Sequence, residues 1–317
     1  MRCQRMMLRS KLIIFLTPFA LFLTLVPWIL PGYPVLLLLM IALNVAFAQG
    51  WNLCFSTAGL LSLGHALFAG ISGYVAAAIC NAGASIYVSI LVGAFTSMAF
   101  AFVVSPLLMR LRGIFFAVGT LILCHSLQLW FLHWGEAGRS LGIRVRIYPG
   151  YSLNNCYYLA WTVVLIAIIL SWIVGKSKWG LAARSIRDDV ERSEAIGVPT
   201  LLVRTAIFAI GAFIAGLVGG VRVAYLLAIN PSLAFGFEQS LWPILAVILG
   251  GVGTLTGPIL GGAIITLLQH VLINFPEVSM LITGAILIVV MLFLPEGLIG
   301  ILKMLLQRGN LLRTRSP

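Results

Sequence analysis

Apolar runs of near membrane-spanning length follow one another along the whole chain, each interrupted by a short polar or glycine-rich break. A helix that crosses a hydrocarbon core about 30 Å thick needs roughly 20 apolar residues. By that measure the pattern predicts about ten spans, at approximately 12–30, 35–50, 57–80, 85–109, 114–134, 158–175, 205–228, 239–250, 258–274 and 279–294. Two stretches depart from it: 239–250 is short, and Gly59 to Gly73 is rich in glycine. Such segments suit broken or re-entrant helices, which membranes tolerate only where backbone is buried in protein or lines a watery cavity. The expected fold is all-α, a polytopic transmembrane helical bundle forming one integral membrane domain over residues 1–317, with no long linker, low-complexity tract or soluble unit.

Composition narrows the class. The chain is 61% hydrophobic and 9% charged, against about 25% charged in an average soluble domain. Four of its eight acids fall between Asp188 and Glu194. A net charge of +12 raises the question of nucleic acid, but the basic residues flank apolar spans instead of massing on one exposed face. In a membrane protein that excess marks cytoplasmic loops. With a cytoplasmic N-terminus and alternating spans, sixteen basic residues lie inside, three (Arg139, Arg144, Arg146) outside, and Arg222 within a span. Both termini are then cytoplasmic, and the loop Lys176 to Arg204 is the longest cytoplasmic segment. The run from Leu12 to Leu30 follows four basic residues as a signal peptide would. It exceeds an apolar region of about 7–15 residues and lacks a clean cleavage site, so it reads as a first span.

The five cysteines (Cys3, Cys54, Cys80, Cys124 and Cys156) are scattered, mostly within apolar runs, and read as small buried hydrophobes. The chain carries no zinc-binding H-E-x-x-H pair and no G-x-S-x-G nucleophile elbow. Gly175-Lys-Ser177 ends like a phosphate-binding loop, but Leu170 occupies the first glycine position and a membrane helix precedes it. Gly251, Gly253 and Gly257 have the wrong spacing for a dinucleotide fingerprint. Expectation is therefore of no catalysis, metal or cofactor in this chain.

Three segments carry the chemistry. In Ser177 to Pro199, Leu181, Ile186, Val190 and Ile196 could form an apolar stripe, while Arg184 with Asp188 and Arg187 with Glu191 stand four apart and could pair. Gly197 and Pro199 end the pattern. An amphipathic helix between spans suits docking into a groove on a cytosolic partner; a salt-bridged connector on the membrane surface is the plainer alternative. In Gly59 to Tyr74, small residues recur at Gly59, Ser62, Ala66, Ala69, Gly70 and Gly73, which lets helices approach closely. Helix packing alone explains those glycines equally well, but His65 is an ionisable ring within a span, usually facing a cavity or a partner. Leu249 to Gly262 holds six glycines in fourteen residues and reads as a tight cytoplasmic turn.

Taken together, Gly59-Leu-Leu-Ser-Leu-Gly-His65, Leu111 to Thr120, the loop from Ala182 to Gly197, Phe213 to Gly220, Leu249 to Gly262 and Pro295-Glu-Gly-Leu298 resemble the LivM-type permease subunits of branched-chain amino acid ATP-binding-cassette importers. The resemblance implies a bacterial or archaeal inner-membrane permease. It implies a related second permease, two cytosolic ATPase subunits that hold the ATP, and an extracytoplasmic solute-binding protein. It implies coupling to the ATPases through Arg184, Arg187, Asp188, Glu191, Glu194, Ala195 and Gly197. Ser62, Gly64, His65, Gly70, Gly73 and Thr120 become candidates for the translocation path. Glu136 to Ile143 departs from the family's Thr-Gly-Gly-rich segment, and Arg222 and Glu238 have no place in its pattern. A urea or short-amide permease of the same family, and an ion-coupled secondary transporter using His65, Arg222 and Glu238, are the alternatives.

Overall fold

The computed structural model describes residues 27–29, 32–272, 281, 282, 284, 285, 288 and 297–300. Helix α1 (Tyr33–Ala58) opens with a proline in its first turn, where the missing N–H costs nothing. It closes on Gly59 in the left-handed region (φ 68°), where the Gly59 N–H donates to the Phe55 carbonyl and the Leu60 N–H to that of Cys54. Then come α2 (Ala66–Asn81), α3 (Ile86–Leu108), α4 (Ile114–His133) and α5 (Leu153–Lys176). The short pair α6 (Lys178–Asp188) and α7 (Val190–Ala195) leads into α8 (Thr200–Leu226). Helices α9 (Pro231–Phe235), α10 (Phe237–Gly250) and α11 (Gly257–Leu272) follow. Among the described residues, six helical stretches are long and apolar enough to cross a membrane: α1, α3, α4, α5, α8 and Pro231–Gly250. Helices α2 and α11 are shorter and equally apolar.

Helices α1 and α8 form the centre, with α5, α10 and α11 around the first and α2 and α3 around the second. Where α2, α3 and α8 meet, the backbones touch. The Ser72 hydroxyl donates to the Gly216 carbonyl at 2.6 Å, and the Ser97 hydroxyl to that of Phe68 at 2.6 Å. Hydrocarbon offers no hydrophobic drive between helices, so close packing of small residues and such hydrogen bonds hold them. At one end a two-residue antiparallel pair, β1 (Ile143–Arg144) with β2 (Ala228–Ile229), ties the segment after α4 to the end of α8. Asn81 fastens it further, donating to the Arg144 carbonyl at 2.9 Å and accepting from the Arg146 N–H at 3.0 Å.

The span boundaries shift most between α1 and α2. Helix α1 runs on from residue 50 to Ala58, through Trp51, Asn52 and Ser56, which the apolar pattern treats as a break. Each of those polar groups has an internal partner: Trp51 Nε1 donates to the Ser62 carbonyl (2.8 Å), Asn52 Nδ2 to that of Thr254 (3.0 Å), and Ser56 Oγ to that of Asn52 (2.6 Å). Residues 57–80 are accordingly not one span. The chain leaves the helix at Gly59, runs irregularly to His65 and re-enters at α2. The stretch 239–250 is the second half of a helix interrupted at Gly236. The run 12–30 lies outside the described residues except for 27–29, and 279–294 except for five of its positions.

Candidate functional site

The break between α1 and α2 is seated on α4. The N–H of Leu63 donates to Thr120 Oγ1 at 3.1 Å, and that hydroxyl donates to the Ala117 carbonyl at 2.8 Å. Gly64 lies so close that a Cβ there would sit 2.0 Å from the Thr120 carbonyl oxygen. Ser62, Gly64 and His65 are buried. The His65 ring rests between Phe47 (centroids 5.3 Å) and Phe68 (5.9 Å), and neither of its nitrogens has a hydrogen-bond partner among the described residues. Gln49, on α1, is fully buried with the same deficit at both amide atoms. Of the other candidate path residues, Gly70 receives the Phe235 ring and Gly73 the Ile229 side chain. Their missing side chains make room for neighbours within the bundle.

Near the other end of α8 a polar cluster joins four helices. Arg222 Nη1 donates to Gln239 Oε1 at 2.7 Å, and Nη2 to Asn44 Oδ1 at 3.3 Å. Asn44 Nδ2 in turn donates to Thr266 Oγ1 (2.9 Å) and Gln269 Oε1 (3.1 Å). The guanidinium lies 5.6 Å from the Phe47 ring centroid. Sequence reasoning singled out Arg222 but not Asn44, Gln239, Thr266 or Gln269. The readable signal was an amide inside an otherwise apolar helix, which is expensive unless it has a partner there.

The loop between α5 and α8 is an elbow, not one helix. Asp189 (φ −159°) breaks the chain between α6 and α7, and its side chain accepts from the Arg192 N–H at 3.1 Å. This break overturns the expected pairing of Arg187 with Glu191, since the two no longer share a helix. Arg187 instead pairs with Asp188 at 3.0 Å, and Glu191 with Arg112 on the α3–α4 turn at 3.5 Å. Arg184 does not meet Asp188 either: its Nη1 turns back to the Gly175 carbonyl at 3.0 Å, capping the end of α5. The apolar stripe divides as well. Ile186 is buried and Val190 half-buried, while Leu181 and Ile196 are exposed. Arg187 also reaches the membrane helices, its Nη1 donating to the Ser56 carbonyl at 2.6 Å, with its stem against Gly59. Glu194 accepts from Thr200 Oγ1 at 2.8 Å, joining α7 to α8. Ala195 and Gly197 are exposed, and Gly197 (φ 84°) has open space around its Cα. Beneath the elbow, a cavity of about 310 Å³ is lined by Asn52, Ser56, Lys176, Arg184, Arg187 and Thr254 among others.

A helical bundle with buried polar side chains at its centre, a broken helix seated on its neighbours and a charged two-helix elbow at one end defines a multi-pass membrane protein of the transporter class. The chain belongs to the family of branched-chain amino acid transport system permease components, whose model matches residues 33–291. It is similar to the high-affinity branched-chain amino acid transport system permease protein LivM of Salmonella typhimurium (strain LT2), 23% identical over 291 residues, covering 82% of this chain and 68% of the relative. It is also similar to LivH of Escherichia coli (strain K12), 28% identical over 152 residues, 47% of this chain and 49% of the relative. The autoinducer 2 import system permease protein LsrC of Yersinia pestis (strain Pestoides F) is 26% identical over 171 residues, 52% of this chain and 48% of that one. The chain spans about half the length of the LivH-type relatives it matches. No solved structure matches it at a significant level.

Proposed function

We propose that the chain is one permease subunit of an ATP-binding-cassette importer that carries branched-chain or related small amino acids delivered by a binding protein. The family model and the LivM-type and LivH-type relatives support this reading over the urea and short-amide alternative, as they are permeases of amino acid systems. The observation that carries the mechanism is the clamp between Arg187 and the Ser56 carbonyl (2.6 Å). It puts a charged cytoplasmic elbow in direct contact with the last turn of α1, three residues before the break that leads to His65.

In this reading the chain is one non-catalytic membrane domain in the cytoplasmic membrane, with about ten spans and both termini inside. A related permease pairs with it, and two ATPase subunits, which hold the ATP, dock on the elbow. Closure of the ATPases pushes α6 and α7. Arg187 passes the push to the end of α1, Glu194 to the start of α8 and Arg112 to the α3–α4 turn. Those helices hold the break and its His65, so a shift at the elbow changes the packing around the path. Packed interfaces of this kind switch between discrete arrangements and do not bend continuously. Exposed Leu181, Ile196 and Gly197 offer the ATPase a contact surface.

The test is reconstituted, binding-protein-dependent uptake with the cognate subunits. Glu194→Lys reverses the charge that holds Thr200, and Gly197→Trp fills the open turn. Each is expected to abolish leucine uptake and substrate-stimulated ATP hydrolysis with normal membrane insertion. Uptake that survives both changes removes the elbow from the coupling path. Uptake by the chain alone on an ion gradient supports the secondary-transporter reading instead.

A further inference from the structure

The cluster around Arg222 has an unbalanced charge. A guanidinium offers five N–H donors and is always protonated. Here its described partners are Gln239 Oε1 and Asn44 Oδ1, which are neutral. Of the described acids, Asp188, Asp189, Glu191 and Glu194 lie on the elbow, away from this end of α8, while Glu136 and Glu238 are exposed and in no ion pair among the described residues. Glu277 and Glu296 fall outside the described residues. Holding a cation in a membrane bundle without a counter-charge is expensive. A packing role alone would be filled without that cost by a glutamine or a methionine.

The surroundings are built to aim the cation. Asn44 donates to both Thr266 and Gln269, which fixes its amide so that the oxygen faces Arg222. Gln239 supplies a second acceptor from α10. Four helices thus hold the guanidinium, and Arg222 itself is neither sealed nor at the surface. The guanidinium lies toward the buried Phe47 ring, which also packs against His65. The residue stands one turn before the end of α8, at the β1–β2 end and opposite the elbow. In the proposed orientation that is the extracytoplasmic half, where a solute arrives.

We propose that Arg222, held by Gln239 and Asn44, is a carboxylate-binding residue of the translocation path: it takes the α-carboxylate of the incoming amino acid, whose side chain passes along Phe47. This rests on the amino acid reading above. Charge-assisted hydrogen bonds between guanidinium and carboxylate are strong and directional.

The experiment measures labelled leucine uptake and ATP hydrolysis by the complete importer in proteoliposomes. Wild type is compared with Arg222→Gln, Arg222→Lys, Gln239→Glu and Glu277→Gln. For Arg222→Gln, uptake per assembled complex is expected to fall about 10- to 100-fold, the worth of a hydrogen bond to a charged group. Hydrolysis stimulated by the loaded binding protein should persist, so that more ATP is spent per leucine moved. Arg222→Lys keeps the charge and is expected to recover part of the uptake. Gln239→Glu places a carboxylate against the guanidinium and should block uptake as Arg222→Gln does, while leaving assembly intact. If Arg222→Gln does not assemble, Gln239→Glu decides alone. Uptake within twofold of wild type in Gln239→Glu overturns the proposal. So does Glu277→Gln reproducing the loss, which would make Arg222 an internal ion-pair partner. A wild-type importer that moves a different amino acid corrects the substrate but leaves the carboxylate proposal standing. One that moves only a solute without a carboxylate overturns both.

Discussion

At Gly219 a side chain has nowhere to go: a Cβ there would stand 2.0 Å from the Ala69 carbonyl oxygen and 2.7 Å from its carbon. Both obstacles are backbone, so the α2–α8 contact must open if Gly219 becomes alanine. Overpacking of this kind typically costs about 1–3 kcal/mol. Gly219→Ala is therefore expected to lower the thermal midpoint of the detergent-purified complex and its yield. Gly175→Ala, with nothing within 4 Å of the added atom and no positive φ, should leave both unchanged. A Gly219→Ala protein as stable as wild type would mean that the two helices are not in contact. Glycine in an apolar run announces close approach without naming the neighbour, which is why Gly70 and Gly73 could be read as packing positions or path positions from the sequence. Asn44 and Asn52 were harder to read. An amide in a strip of apolar residues looks like a place for the helix to end until its partner, three or more helices away in sequence, is known.

At the scale of elements, the elbow between α5 and α8 shows what periodicity conceals. The charges of Lys178 to Ala195 fit a single amphipathic helix, and so the i, i+4 pairs were expected. Asp189 decides otherwise, because a short acidic side chain can satisfy the free N–H groups of a new helix start. It accepts from the Arg192 N–H at 3.1 Å, and the Ser185 and Ser193 hydroxyls bridge the two pieces at 2.7 Å. Removing the cap with Asp189→Ala should cost about 1 kcal/mol, confined to α7. Faster amide exchange over residues 190–195, with α6 unaffected, is the expected signature. Weaker coupling of ATP hydrolysis to uptake should accompany it. Equal exchange in wild type and variant would show that α7 does not depend on this cap. The apolar helices themselves were legible, since α3, α4 and α11 begin or end within a few residues of the expected limits. The break after Gly59 was legible in kind but not in place. It depends on Thr120, on another helix, to seat it.

Across the whole molecule, the assignment of sides rests on one helix. Leu141, before β1, is 89% exposed, and Leu181, on α6, is 65% exposed. Between them stands α5, whose 24 residues give a length of about 36 Å at 1.5 Å per residue, enough to cross the hydrocarbon once. The two positions must face opposite sides whatever the number of spans near either terminus. In the proposed orientation the charge-dense segment Lys176 to Arg204 lies in the cytoplasm, as basic loops do. Cys54, Cys80, Cys124 and Cys156 are buried and free, so they contribute little background to thiol labelling. With Cys3 replaced by serine, Leu141→Cys should react with a membrane-impermeant maleimide in intact spheroplasts. Leu181→Cys should react only after the membrane is opened. Labelling of both from outside would show that α5 does not cross. Labelling of Leu181→Cys alone would invert the molecule, placing the elbow where no ATPase can reach it and the Arg222 end toward the cytoplasm. The elbow could not then be a coupling device, and Arg222 could not be the point where a solute first enters.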